Sequence, residues 1–186
     1  MSESISAKLR AHQSSPAEAL DAVLPLVYED LRRLAQKTLR EGPSAPTLQP
    51  TAVVHEAYVR LAKERTGWVS GEVFMFAAAV AMRRALIDYS RKRNAKKRRA
   101  RWDGTKPIER VAIDGDPSEL IAVDECLKRL EIEDPESGRV VELVVFGGLT
   151  LREAGQAIGI SERTAQRRWR FARAWILSEL AVGEQS

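Results

Sequence analysis

The chain has 186 residues, 44% of them hydrophobic and 30% charged, with a formal net charge of +4 at pH 7. That is the composition of a soluble globular protein with material for one ordinary domain or two small ones. Every uninterrupted apolar run, including the one that ends with Ala77 to Met82, is too short to span a bilayer, and the polar start, Met1 to Gln13, lacks the hydrophobic segment of a secretory signal. One cysteine, Cys126, and two histidines, His12 and His55, exclude an intramolecular disulfide and a multi-thiolate zinc site. A cytoplasmic protein with no membrane, metal or cofactor is expected.

In chain order the apolar period is helical nearly throughout, with no convincing period-two strand, so the expected class is all-α. Ser15-Pro16-Ala17-Glu18 reads as a cap, a first-turn proline and an N3 acid. Leu20, Val23, Leu24, Val27, Leu31 and Leu34 follow at helical spacing, with Pro25 expected to break or kink the helix. After a loop at Gly42 to Pro46, a second helix is expected from about Thr51, burying Val53 or Val54, Ala57, Tyr58 and Leu61. Gly67 to Gly71 is a break, with Ser70 available as a cap. A third helix runs from about Glu72, with Phe74, Ala77, Ala78, Ala81, Ala85 and Tyr89 along one side. Residues 16–95 thus form a first helical domain, and residues 96–117, rich in charge, glycine and proline, a flexible linker.

Residues 118–182 form the second small domain. Asp116-Pro117-Ser118-Glu119 caps a helix carrying Leu120, Val123, Leu127 and Leu130, and Asp134-Pro135 caps the next, which ends at Gly147-Gly148. Thr150-Leu151-Arg152-Glu153 is a capping box. Its short helix stops at Gly159, Ile160 plugs the turn, and Ser161 caps another helix: a helix-turn-helix. On that last helix Ala165, Trp169, Ala172 and Ile176 share one face. Arg163, Gln166, Arg167 and Arg170 share the other, where arginine and glutamine can pair with base edges in a major groove.

Charge is strongly segregated. Between Arg83 and Arg101 ten Lys/Arg residues stand against one acid, Asp88, and between Glu162 and Arg173 five arginines stand against Glu162. The intervening stretch from Glu109 to Glu142 has eleven acids and four bases. Two basic stretches divided by an acidic one point to two docking places for a polyanion.

The run from Gly148 to Ala165 resembles promoter-binding region 4 of bacterial sigma factors, and Pro50 to Leu61 looks like region 2.2, followed by the basic helix of regions 2.3 and 2.4. With two domains and a short linker, the chain is similar to the extracytoplasmic-function (ECF) group of RNA polymerase sigma factors. The resemblance implies a transcription initiation factor, not an enzyme. Its partners would be the clamp region of core RNA polymerase and promoter DNA, duplex at −35 and single-stranded at −10. Carried over, Ser161, Arg163, Thr164, Gln166, Arg167 and Arg170 would serve −35. Arg83, Arg84, Asp88, Arg91, Lys92, Arg93 and Asn94 would serve −10, with Trp68, in a glycine-flanked loop, as an exposed aromatic for stacking. Lys96 to Arg101 would be a phosphate-neutralising arm. Arg168 and Arg173 are assigned to solubility or backbone contact.

Thr51, His55, Glu56 and Arg60 would face polymerase. Family members commonly open region 2.2 with several acids, whereas Gln49 to Glu56 contains only Glu56. Phosphorylation of Thr51 would restore the charge; the simpler reading makes Thr51 only a helix cap. An anti-sigma factor and a Ser/Thr kinase are the candidate regulators beside expression level. The competing functions are a helix-turn-helix regulator that does not recruit polymerase and an adaptor that only docks proteins. His55-Glu56 lacks the second histidine of a zinc protease motif.

Overall fold

The structure, a computed structural model, describes residues 2–12, 15–39, 50–63, 68, 70–94 and 117–183. All regular structure among these residues is helical: α1 (Ser2–Ala11), α2 (Pro16–Leu39), α3 (Pro50–Ala62), α4 (Gly71–Asn94), α5 (Pro117–Glu133), α6 (Pro135–Val141), a π segment (Glu142–Phe146), α7 (Leu151–Ile158) and α8 (Glu162–Gly183). The expected loop at Gly42 to Pro46, the basic arm from Lys96 and the linker, apart from Pro117 in α5, lie outside the described residues.

Two of the expected caps form at the start of α2 and α4. The Glu18 amide donates to Ser15 Oγ (3.4 Å) and the Val73 amide to Ser70 Oγ (3.3 Å), opening α2 and α4. α2 continues through Pro25, contrary to the expected break. Pro25 is exposed, so the Asp21 carbonyl that loses its donor can turn to water, while Leu20, Val23, Val27 and Leu31 are buried on the inner side. α1 is an addition to the expected elements. Ile5 and Leu9, four residues apart in an otherwise polar stretch, are buried, and Ser6 Oγ accepts from the Gly71 amide at 2.8 Å.

α4 is the central element. Instead of one apolar stripe it buries Phe74, Met75, Ala78, Ala79, Ala81, Met82, Ala85, Leu86 and Ile87, which surround the helix. A helix that is apolar on every side must be covered on every side. α1 and α3 cover part of α4, and α5, the π segment and α7 cover the rest. Its alanines permit close approach: Ala79 Cβ lies 3.3 Å from where a side chain at Gly147 would begin. The core consequently runs without interruption from Ile5 to Leu180. Cys126 is buried between α5 and α8, and that burial, with Glu179 nearby, pushes its thiol up to about 11.

Candidate nucleic-acid interface

α7 and α8 are joined by a turn held by local hydrogen bonds. Thr150 Oγ1 accepts from the Glu153 amide (3.2 Å) and Glu153 Oε2 accepts from the Thr150 amide (2.9 Å), the complete capping box. Those bonds hold the Glu153 carboxyl below its ordinary range. Gly159 closes α7 at φ 76°, the left-handed region that costs a side chain dearly. Ile160 then donates its amide to the Gly155 carbonyl (2.9 Å), and Ser161 Oγ accepts from the Thr164 amide (3.1 Å) to open α8.

α8 has two faces. Ala165, Trp169, Ala172, Ile176 and Leu180 are buried against the domain. Arg163, Gln166, Arg167 and Arg170 are exposed, and Ser161 is exposed at the helix start. Gln166 reaches Glu162 at 3.4 Å, and Arg170 Nε donates to the Gln166 carbonyl at 3.3 Å, so the row is supported without being consumed. Arg168 is different. Its guanidinium is drawn back to α6, bonding Glu136 and, at 3.0 Å, Asp134. Asp134 also caps α6, accepting from the Ser137 amide (3.2 Å) and hydroxyl (2.7 Å). Burial raises the Asp134 carboxyl, but these bonds and the Arg168 charge outweigh it and hold the group below its ordinary value.

The second basic surface is the end of α4, where Arg84, Arg91 and Lys92 are exposed and Asp88 and Tyr89 are half-buried. The side chains of Arg93 and Asn94 lie outside the described residues. Two expectations are corrected. Trp68 is 6% exposed and meets the Phe74 ring edge-on at 5.3 Å, so it belongs to the core and offers no stacking platform. A flanking glycine signals a turn; it does not say which way the indole points. Arg83 is 7% exposed and surrounded by acids of α5 and the π segment, so in this arrangement it is withdrawn from solvent.

A family model for ECF sigma factors matches residues 2–182. The chain belongs to the ECF sigma factor family. Membership gives it a sigma factor's role in transcription initiation, with core RNA polymerase and promoter DNA as partners. Neither a curated relative nor a solved structure matches it. Among the described residues no helix is long and apolar enough to cross a membrane.

In this ECF sigma factor the α3 residues of the candidate polymerase surface diverge in their surroundings. Thr51 is half-buried at the second position of α3, one past the start at Pro50, so it does not occupy the cap position itself. The first turn of α3 contains no acid. His55 and Glu56 are exposed, His55 stacking on Tyr58 at 6.3 Å. Tyr58 donates to Asp21 of α2 (2.8 Å), and that bond raises its phenol pKa. Arg60 spans α3 and α4, pairing with Glu56 at 2.9 Å and Asp88 at 2.8 Å. This joins a residue assigned to polymerase with one assigned to −10 DNA, a link that spacing along one helix does not reveal.

Proposed function

We propose that this ECF sigma factor directs core RNA polymerase to promoters through two DNA-reading surfaces, residues 16–95 acting at −10 and residues 118–182 at −35. The observation that carries the reading is the division of α8: an exposed row of Arg163, Gln166, Arg167 and Arg170 behind a buried row of Ala165, Trp169, Ala172 and Ile176. Arginine and glutamine are side chains that read base edges bidentately in the major groove, and the first amides of α8, beside Ser161 and Thr164, suit a phosphate. Arg84, Arg91 and Lys92, followed by Arg93 and Asn94, form the cationic end that follows a separated −10 strand, with Asp88 set among them. Residues 96–117 are the tether between the two, and a cytoplasmic setting fits the partners.

On α3, His55 and Glu56 face the polymerase clamp and Arg60 positions Glu56. A phosphate on Thr51 would place about −1.5 to −2 charges at the acid-free start of the helix, where the helix dipole favours them. Thr51→Glu should bind core polymerase more tightly than Thr51→Ala; equal affinities would dispose of the phosphate. Run-off transcription by purified core polymerase on a genomic library tests the whole reading. Promoter-specific transcripts that depend on the chain are expected. DNA binding with no transcripts would make the chain a helix-turn-helix regulator instead.

A further inference from the structure

Arg60 comes from α3, yet half of what it holds belongs to α4. Its Nη2 donates to Glu56 Oε1 at 2.9 Å and to Asp88 Oδ2 at 2.8 Å, so the two hydrogens of one nitrogen serve two carboxylates. Nε is buried without a hydrogen-bond partner, so the bridge is made at the outer end of the guanidinium. Glu56 is exposed, whereas Arg60 and Asp88 are half-buried where α3 packs on α4.

We propose that Arg60 is a positioning residue for the −10 strand: by drawing Asp88 across to α3 it keeps Arg84, Arg91 and Lys92 available to the phosphates of that strand. The proposal rests on the reading of α4 as the −10 surface, and it gives Arg60 a task beyond the polymerase face to which the resemblance assigns it. The choice of partner leads to it. Arg84 precedes Asp88 by four residues, and Arg91 and Lys92 follow it by three and four, the spacings at which side chains meet along a helix. An acid ahead of its base is the favoured order, so Arg91 and Lys92 are the natural partners of Asp88. Among the described residues it pairs with Arg60 instead, while Arg84, Arg91 and Lys92 stay exposed.

Ion pairs along an exposed helix face are weak, and a part-buried bond from another helix overrides them. Without Arg60 the local pair is what remains. Asp88 then swings to Arg91 or Lys92 and cancels a cation that the strand would otherwise meet. A single strand releases about 0.7 counterions for each phosphate neutralised, so a cation lost from the surface shows in the salt dependence of binding. Glu56 takes the other hydrogen of Nη2 and fixes the guanidinium between α3 and α4 from both sides. In this scheme Arg60 touches neither base nor phosphate; it acts through Asp88.

The test uses core polymerase saturated with the full chain, and core polymerase alone as the baseline. The probe is a labelled single strand of mixed sequence, about 20 nucleotides long, titrated between about 50 and 200 mM salt. Arg60→Met keeps the buried stem and removes the charge together with the unpartnered Nε. It should weaken strand binding about fivefold at about 0.1 M salt and make the plot of log Kd against log salt shallower by about 0.7, the loss of one phosphate contact. Adding Asp88→Asn should restore the wild-type slope, because an amide cannot cancel a cation. Arg60→Lys, which keeps a charge beside Asp88, should retain that slope as well. Arg60→Gln replaces Arg60→Met if circular dichroism shows that variant unfolded. A wild-type slope without Arg60, or a loss that Asp88→Asn does not reverse, would overturn the positioning role and leave the −10 surface standing. A wild-type chain that adds no strand binding to core polymerase would overturn the −10 reading, and the positioning role with it.

Discussion

Arg167 and Arg168 are neighbours on α8 with opposite surroundings. Arg167 is exposed, whereas Arg168 is turned back onto Asp134 and Glu136. Arg167→Ala should leave the melting temperature unchanged and weaken promoter binding by about 1–3 kcal/mol, the worth of a bidentate base contact. Arg168→Ala should do the reverse. It lowers stability by about 1 kcal/mol, a modest figure because the pair is partly solvated, and leaves base preference alone. Melting curves beside titrations of single-base promoter variants separate the two. Trp68→Ala makes a sharper case at this scale. Loss of a buried indole from against Phe74 should cost about 3–5 kcal/mol, where removing an exposed stacking residue would cost almost nothing.

At the scale of elements, the turn between α7 and α8 depends on backbone conformation as much as on packing. Gly159→Ala forces a side chain into φ 76° and should destabilise the second half by about 1–2 kcal/mol. Thr150→Ala, which removes the acceptor for the Glu153 amide, should cost about 1 kcal/mol. Chemical denaturation followed at the tryptophans Trp169 and Trp175 of α8 checks both. These local devices were readable in the sequence because a cap, a glycine and a second cap lie within a dozen residues of one another. The readable face of α8 followed from its period alone. α1 was not readable, since two apolar residues in ten carry little periodic signal and their burial depends on α2 and α4. The full enclosure of α4 was half readable: Met75, Ala79, Met82, Leu86 and Ile87 fill the angles between the expected stripe and its opposite side. What covers that opposite side is a tertiary fact, and with it the fate of Arg83.

For the whole molecule, Glu142, fully buried where the π segment meets α4, makes stability depend on pH in an uncommon direction. Burial is the main cause of the raised Glu142 carboxyl, with Glu131 and Asp124 adding to it and Arg83 and Arg84 opposing. Between the ordinary 4.5 and about 8 the packed chain keeps a proton that a solvated carboxyl releases. The contribution is therefore complete below 4.5, shrinks as the pH rises, and is gone above about 8. Asp134 and Glu153, held below their ordinary values, act in the opposite sense, and only in acid. Melting temperature should thus fall from pH 5 to 8 in the wild type and much less in Glu142→Gln; parallel profiles would show that Glu142 is not the titrating group. The solitary thiol adds an internal clock to such work. Cys126, sealed between α5 and α8 and scarcely ionised near neutrality, should resist disulfide reagents for as long as the second half stays folded. Its labelling rate then reports the opening of that part of the chain.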